Sequence, residues 1–270
     1  MARAPKLPAP PVPSALKAPP PRPGSPDVKT RPIDHAKEGG STVVDWVDER
    51  TSLSGVARWT MFRKVPRGTN WFYTLGSATM FAFLSQAVTG VFLAMFYRPD
   101  PSGGAYESIR HVTNEVFLGQ FVRGMHKWGS SVMVILVFLH MGRTFFFGAY
   151  KYPRELNWVI GVVLLILTMV MSFTGYLLPF DQRAYWATIV GVNINGTGPL
   201  IGPYLSDFLR GGPEFGATTL SRFYAIHMLL VPGLLAALIG AHLYLVAKLG
   251  TTAPPWIKAE KNPELRKADA

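Results

Sequence analysis

The sequence contains no cysteine. Disulfides, thiolate-held iron–sulfur clusters and thioether attachment of a haem are therefore excluded within this chain. Acidic residues are also few: 16 Asp and Glu stand against 27 Lys and Arg, a formal net charge of +11. In a soluble protein that excess would suggest nucleic acid. Here much of it is terminal, and a basic surface beside an anionic lipid leaflet is the simpler account, so no nucleic-acid partner is expected. Charge is missing altogether from residues 71–97, 157–180 and 223–247. Each run is long enough to cross the ~30 Å hydrocarbon core of a membrane as a helix. A fourth run, about 121–147, keeps its charges near its ends. The expected fold is an all-α membrane protein, a four-helix bundle with spans at about 71–97 (A), 121–147 (B), 157–180 (C) and 221–247 (D).

Two segments precede the spans. Residues 1–42 are rich in Pro and Ala with scattered Lys and Arg, a composition expected to be disordered. The stretch has no contiguous apolar core and does not read as a signal peptide. His35 falls here and is expected to be solvated. Residues 41–63 set Val43, Val44, Trp46, Val47, Leu53, Val56, Trp59 and Phe62 among charged residues. The segment is too short to span and fits an amphipathic helix lying in the interface. Pro66 then breaks the chain before span A. The body of the fold is expected over 43–250, with 251–270 as a tail.

Span B carries His126 and His140, fourteen residues apart. At about 100° and 1.5 Å per residue, they leave nearly one helix face, about 40° and 21 Å apart. Span D carries His227 and His242, fifteen residues apart, which turns about 60° the other way and rises about 22 Å. Pro232 lies between them and can bend the helix to absorb the difference in register. One helix supplies one axial side of a haem, so two helices with matched pairs point to two stacked bis-histidine sites, one near each membrane surface. Arg123 and Arg143 flank the pair in B, and Arg222 and Lys248 the pair in D. A cation thus stands beyond each site, where an anionic edge of a bound cofactor can pair with it.

Glycines repeat the interval. Gly76 and Gly90 in span A, and Gly161 and Gly175 in span C, are also fourteen apart. Close helix packing is one use of such glycines. Room for a porphyrin edge at two stacked levels is the use that explains the shared interval. Lys and Arg are more numerous before A, between B and C and after D than in the A–B and C–D connections. The bias places both termini in the cytoplasm, with His126 and His227 paired near the outer surface and His140 and His242 near the inner one. Gly90 and Gly175 then flank the outer site, Gly76 and Gly161 the inner. The C–D connection, about 181–218, is long for a loop and is expected to hold a short helix near 185–190 and a binding surface. His111, in the A–B connection, is expected to be a surface residue.

The motifs F-Y-T-L-G-S and Q-A-V-T-G-V-F-L-A-M-F-Y in A, R-G-M-H-K-W-G-S-S and H-M-G-R in B, K-Y-P-R-E-L-N-W-V-I-G and T-G-Y-L-L-P-F-D-Q in C, and T-L-S-R-F-Y-A-I-H in D resemble the N-terminal, haem-bearing part of cytochrome b. The resemblance covers about 43–250 and is nearest to the split, b6-type chains, which share the fifteen-residue interval in D and the P-R-E-L turn. It implies a subunit of a quinol–cytochrome c reductase that carries electrons from quinol oxidation across the membrane, through two non-covalent b-type haems, to a second quinone site, with proton translocation. It further implies haem-propionate pairing by Arg123, Arg143 and Arg222. Pro179, Tyr185, Trp186, Ala187 and Thr188 are expected to shape the outer quinone pocket. Implied partners are a Rieske iron–sulfur protein, a separate subunit with the remaining cytochrome b helices and their P-E-W-Y motif, and a c-type cytochrome or other acceptor. The complex is expected to be a homodimer in the cell's inner (cytoplasmic) membrane, and the chain is not expected to be active alone. Where b6-type chains attach an extra haem through a cysteine, this chain has Thr74, so no covalent haem is expected. Two other classes stay open at this point: a di-haem anchor of a quinone-linked dehydrogenase or hydrogenase, and a haem-free transporter or structural subunit whose histidines carry protons.

Overall fold

A computed structural model describes residues 43, 45–51 and 68–256. Residues 45–51 form a short helix, α1, in which Arg50 donates to the Trp46 carbonyl and stacks 4.1 Å from the Trp46 ring. Val43 and Trp46 expose their apolar side chains. The rest of the expected interfacial helix, the Pro/Ala-rich extension and most of the 251–270 tail lie outside the described residues.

From residue 68 onward every regular element described is helical. A 3-10 turn, Trp71–Thr74, is capped by Asn70, whose side chain accepts from Phe72 N, and leads into α2, Leu75–Ala94. There follow α3 (Gly104–Asn114), α4 (Gly119–Phe146), α5 (Glu155–Leu177), α6 (Gln182–Gly196) and α7 (Gly202–Arg210). Then α8 (Ala217–Ala225) runs through a π-helical turn, Ile226–Leu230, into α9 (Val231–Leu249). Four stretches are long and apolar enough to cross a membrane: Trp71–Ala94, Gly119–Phe146, Glu155–Leu177 and Ala217–Leu249. They are spans A to D, and the chain is an integral membrane protein. A packs closely on B, and C on D. Both pairs are antiparallel, since Gly76 lies by His140 and Gly90 by His126, while Gly161 lies by His242 and Gly175 by His227.

One end of the bundle is capped by the A–B and C–D connections. Ala105 of α3, Leu177 of α5, Val192 of α6, Leu209 of α7 and Leu220 and Phe223 of α8 form one buried cluster there. Each connection buries one face at helical spacing: Ala105, Ser108 and Val112 in α3, which is amphipathic, and Ala184, Thr188 and Val192 in α6. Asp181 starts α6 by accepting from Ala184 N at 2.8 Å. The C–D connection is thus more helical than the short 185–190 helix expected, because the four-residue burial period continues to Val192. Tyr97 OH ties the cap to span C through the Leu178 carbonyl, 2.6 Å away. At the opposite, open end, Arg154 donates to the carbonyls of Leu249 (3.1 Å) and Gly250 (3.4 Å), joining the start of C to the end of D.

The extra residue in span D has a visible home. Val231 N bonds to the Ile226 carbonyl, five residues back, closing the π turn. A π turn adds one residue without adding a turn of helix. The fifteen-residue interval from His227 to His242 then presents its ends as fourteen α-helical residues do. Pro232, which has no N–H, follows directly in the first turn of α9. The register is absorbed by the widened turn rather than by a proline bend alone.

Candidate functional site

The bundle brings the histidines together in two pairs. The rings of His126 and His227 have centroids 6.4 Å apart and planes at 77°. Those of His140 and His242 are also 6.4 Å apart, at 79°. The first pair sits toward the capped end and the second toward the open end, about 21 Å apart along span B at 1.5 Å per residue. His227 is buried and the other three are half-buried.

Each glycine of the two fourteen-residue pairs faces one of these rings. A Cβ on Gly76 would meet His140 Cε1 at 3.1 Å; on Gly90, His126 Cε1 at 3.2 Å; on Gly175, His227 Cε1 at 2.5 Å; and on Gly161, His242 Cε1 at 3.7 Å. The bare backbone therefore lets an imidazole from the neighbouring span lie against it.

Two threonines that the sequence did not single out stand beside the capped-end rings. Thr89 Oγ1 is 2.9 Å from His126 Nδ1, and Thr174 Oγ1 is 3.3 Å from His227 Nδ1, which also lies 3.1 Å from the Met171 carbonyl. Their signal was available: both A and C carry the dipeptide T-G at this level, Thr89-Gly90 and Thr174-Gly175.

The open-end pair lines a cavity of about 430 Å³, with Gly76, Gly161 and Arg143 in its walls. The buried side-chain polar atoms without a hydrogen-bond partner among the described residues are Tyr73 OH, Arg143 Nε and Nη2, Asn157 Oδ1, His242 Nδ1 and Thr252 Oγ1. All five residues line this cavity. Buried polar groups are rarely left unpaired, so together they mark a place that takes a polar, anionic-edged group. The Arg143 guanidinium stacks 3.8 Å from the Tyr73 ring centroid. The other two arginines have protein partners: Arg123 donates to Thr113 Oγ1 at 3.4 Å, and Arg222 donates to the Phe208 carbonyl.

The residues expected at the outer quinone pocket lie at the end of span C and on α6. Tyr185 packs edge-on against Phe180 and Phe215. Pro179 is half-buried, Trp186 and Ala187 are exposed, and Thr188 is buried with its hydroxyl donated to the Ala184 carbonyl. Thr188 therefore faces the cap's interior, apart from the surface that Trp186 and Ala187 share. His111 is a surface residue bonded through Nδ1 to Glu115 Oε2 at 2.8 Å. Thr74, exposed, donates to the Trp71 carbonyl at 2.6 Å.

The family model for cytochrome b/b6/petB matches residues 61–250. The chain belongs to the cytochrome b family. It is 44% identical over 218 residues to the menaquinol:cytochrome c reductase cytochrome b subunit of Geobacillus thermodenitrificans, covering 78% of this chain and 97% of that one. To the cytochrome b6 of Heliobacterium modesticaldum it is 42% identical over 213 residues, covering 78% and 100%. A solved chain of a hyperthermophilic respiratory complex III superposes with a TM-score of 0.72 at 31% identity, over 82% of this chain. The match spans 59% of that solved chain.

Membership in the cytochrome b family implies binding of b-type haem, and these residues fit one. An imidazole nitrogen sits about 2.0–2.1 Å from a first-row metal ion and about 1.1 Å from its own ring centroid, so two axial rings on one metal have centroids about 6.3 Å apart. Both histidine pairs stand at 6.4 Å. Neutral nitrogen donors in apolar surroundings suit haem iron, and the unpartnered Arg143 suits a carboxylate at the cofactor's edge.

Proposed function

We propose that the chain is the cytochrome b subunit of a bc-type quinol:cytochrome c oxidoreductase and holds two non-covalent b-type haems. The observation that carries the haem assignment is the pair of equal ring separations at two levels of one bundle. His126 and His227 hold the haem at the capped, outer end; His140 and His242 hold the one at the open, cytoplasmic end. Arg143 pairs with a propionate of the inner haem, and Arg123 and Arg222 serve the outer one from the rim of the cap. When bound, the haems supply one-electron carriers across the membrane. The protein's own part is to fix ligand geometry and to keep water from the iron with apolar walls. It also offers quinol a surface at the cap around Pro179, Tyr185 and Trp186.

The remaining helices come from a separate subunit, and a Rieske iron–sulfur protein takes one electron per quinol on its way to a c-type cytochrome or other acceptor. The complex is a homodimer in the cytoplasmic membrane, both termini of this chain face the cytoplasm, and this subunit alone is inactive. The lack of a thiol where b6-type chains have one argues against a covalent haem.

The test is a pyridine haemochrome assay on the purified complex together with a reductive titration of its visible spectrum. Two extractable b-type haems per chain, titrating at separate potentials, are expected. One haem per chain would overturn the two-site assignment, and a haem that resists acid–acetone extraction would overturn the non-covalent one.

A further inference from the structure

The two haem levels differ in one respect that the shared spacing hides. At the capped end each histidine Nδ1 faces a threonine hydroxyl, Thr89 or Thr174, one residue before the glycine that cradles the ring. At the open end the residues before the corresponding glycines are Leu75 and Ile160, which carry no hydroxyl. Both threonines are buried, at 6% and 1% exposure. Each donates its single proton to its own helix: Thr89 Oγ1 to the Ser85 carbonyl at 2.7 Å, Thr174 Oγ1 to the Val170 carbonyl at 2.9 Å. The hydroxyl oxygen is thereby left as an acceptor toward the imidazole. A buried acceptor at Nδ1 places the ring proton there and leaves Nε2 free for the metal; at His227 the Met171 carbonyl, 3.1 Å from Nδ1, shares that task with Thr174. It also makes the imidazole a stronger electron donor.

We propose that Thr89 and Thr174 are positioning residues that fix the tautomer of the capped-end histidines and lower the reduction potential of the haem they hold, so that electrons pass more readily toward the open end. The inference rests on the bis-histidine assignment above. A stronger axial donor stabilises ferric over ferrous iron, so the sign is a lowered potential at the capped end only.

The experiment is a redox titration of the intact complex carrying Thr89→Val, Thr174→Val, Thr89→Ser or Thr174→Ser. The capped-end haem is identified beforehand as the signal missing in His126→Leu. Each valine variant keeps size and removes the hydroxyl from beside Nδ1. Thr89→Val is expected to shift the capped-end haem upward by about a tenfold change in its reduction equilibrium, ~59 mV for one electron, Thr174→Val by less because the Met171 carbonyl stays at His227 Nδ1, and both to leave the open-end haem in place. The serine variants restore the hydroxyl and are expected to titrate as wild type. Unmoved potentials in the valine variants, or equal shifts of both haems, would overturn the inference while leaving the bis-histidine assignment intact. Absence of the two haems from the wild-type complex would instead overturn that assignment. The two threonines are read separately, so if one valine variant fails to assemble, the other decides.

Discussion

At the scale of single residues, the four glycines are not equivalent. A methyl group at Gly175 would stand 2.5 Å from His227, closer than packed carbons come, whereas at Gly161 it would stand 3.7 Å from His242 in ordinary contact. Gly76 and Gly90 fall between, at 3.1 and 3.2 Å. We expect Gly175→Ala to push the His227 ring aside and lose most of the capped-end haem, an overpacking cost of about 1–3 kcal/mol or more. Gly90→Ala and Gly76→Ala should weaken their haems partially. Gly161→Ala should retain the inner haem at near wild-type content. Haem per chain, read from the pyridine haemochrome spectrum of the four variants, checks the order. Loss of the inner haem in Gly161→Ala would mean that the porphyrin, and not the ring, requires that glycine. The histidines were legible in the sequence because helix geometry turns an interval directly into a face and a distance. The threonines left a weaker mark, the T-G dipeptide shared by A and C, which does not by itself name a role because a threonine in a span ordinarily back-bonds to its own helix. These two do so as well, and only the third dimension shows which ring their lone pairs face.

At the scale of elements, the π turn carries the register of span D. Deleting Leu229, which lies in that turn and exposes its side chain, should convert it to regular α-helix and keep His227 and His242 aligned. Deleting Val134 from α4, a regular helix with no widened turn to give up, should rotate His140 by about 100° relative to His126. We therefore expect the first deletion to keep both haems and the second to lose one, which visible spectra of the purified complexes will distinguish. The sequence announced the mismatch through its fifteen-residue interval and placed the remedy at Pro232. It could not choose between a bend and a π turn, since both follow from a missing N–H. The spans themselves were legible to within a few residues, because a run without charge is the plainest signal a membrane helix leaves. The helices of the two connections were harder. Their burial faces, Ala105–Ser108–Val112 and Ala184–Thr188–Val192, consist of small or polar residues that look like loop until the cap covers them.

At the scale of the molecule, most of the surface of the spans faces outward and is apolar. Phe81, Leu84, Val88 and Val91 form an exposed stripe along α2 that Met95 continues at its C-cap, and Leu156, Val159, Val163, Ile166 and Val170 form another along α5. Lipid, the proposed partner subunit and a second copy would share such faces, and the sequence has no means of dividing them because all three select the same side chains. The inward faces give more. The four spans form two helical hairpins of one design, A–B and C–D, each with a glycine-bearing helix followed by a histidine-bearing one. Every proposed iron takes one ligand from each hairpin, so neither hairpin contains a site and each contains half of both. Haem binding and the docking of the two hairpins are then one equilibrium. A ligand that binds only the docked form stabilises it by mass action, by about 2.7 kcal/mol at a free concentration a hundredfold above its Kd. We expect the melting temperature of the complex to rise with haem occupancy, and the amount of this subunit in the membrane to fall when haem synthesis is limited, as scanning calorimetry and immunoblotting will show. On the proposed assignment the electron carrier would also be the crosslink between the hairpins, and the cell's haem supply would set how much folded subunit exists.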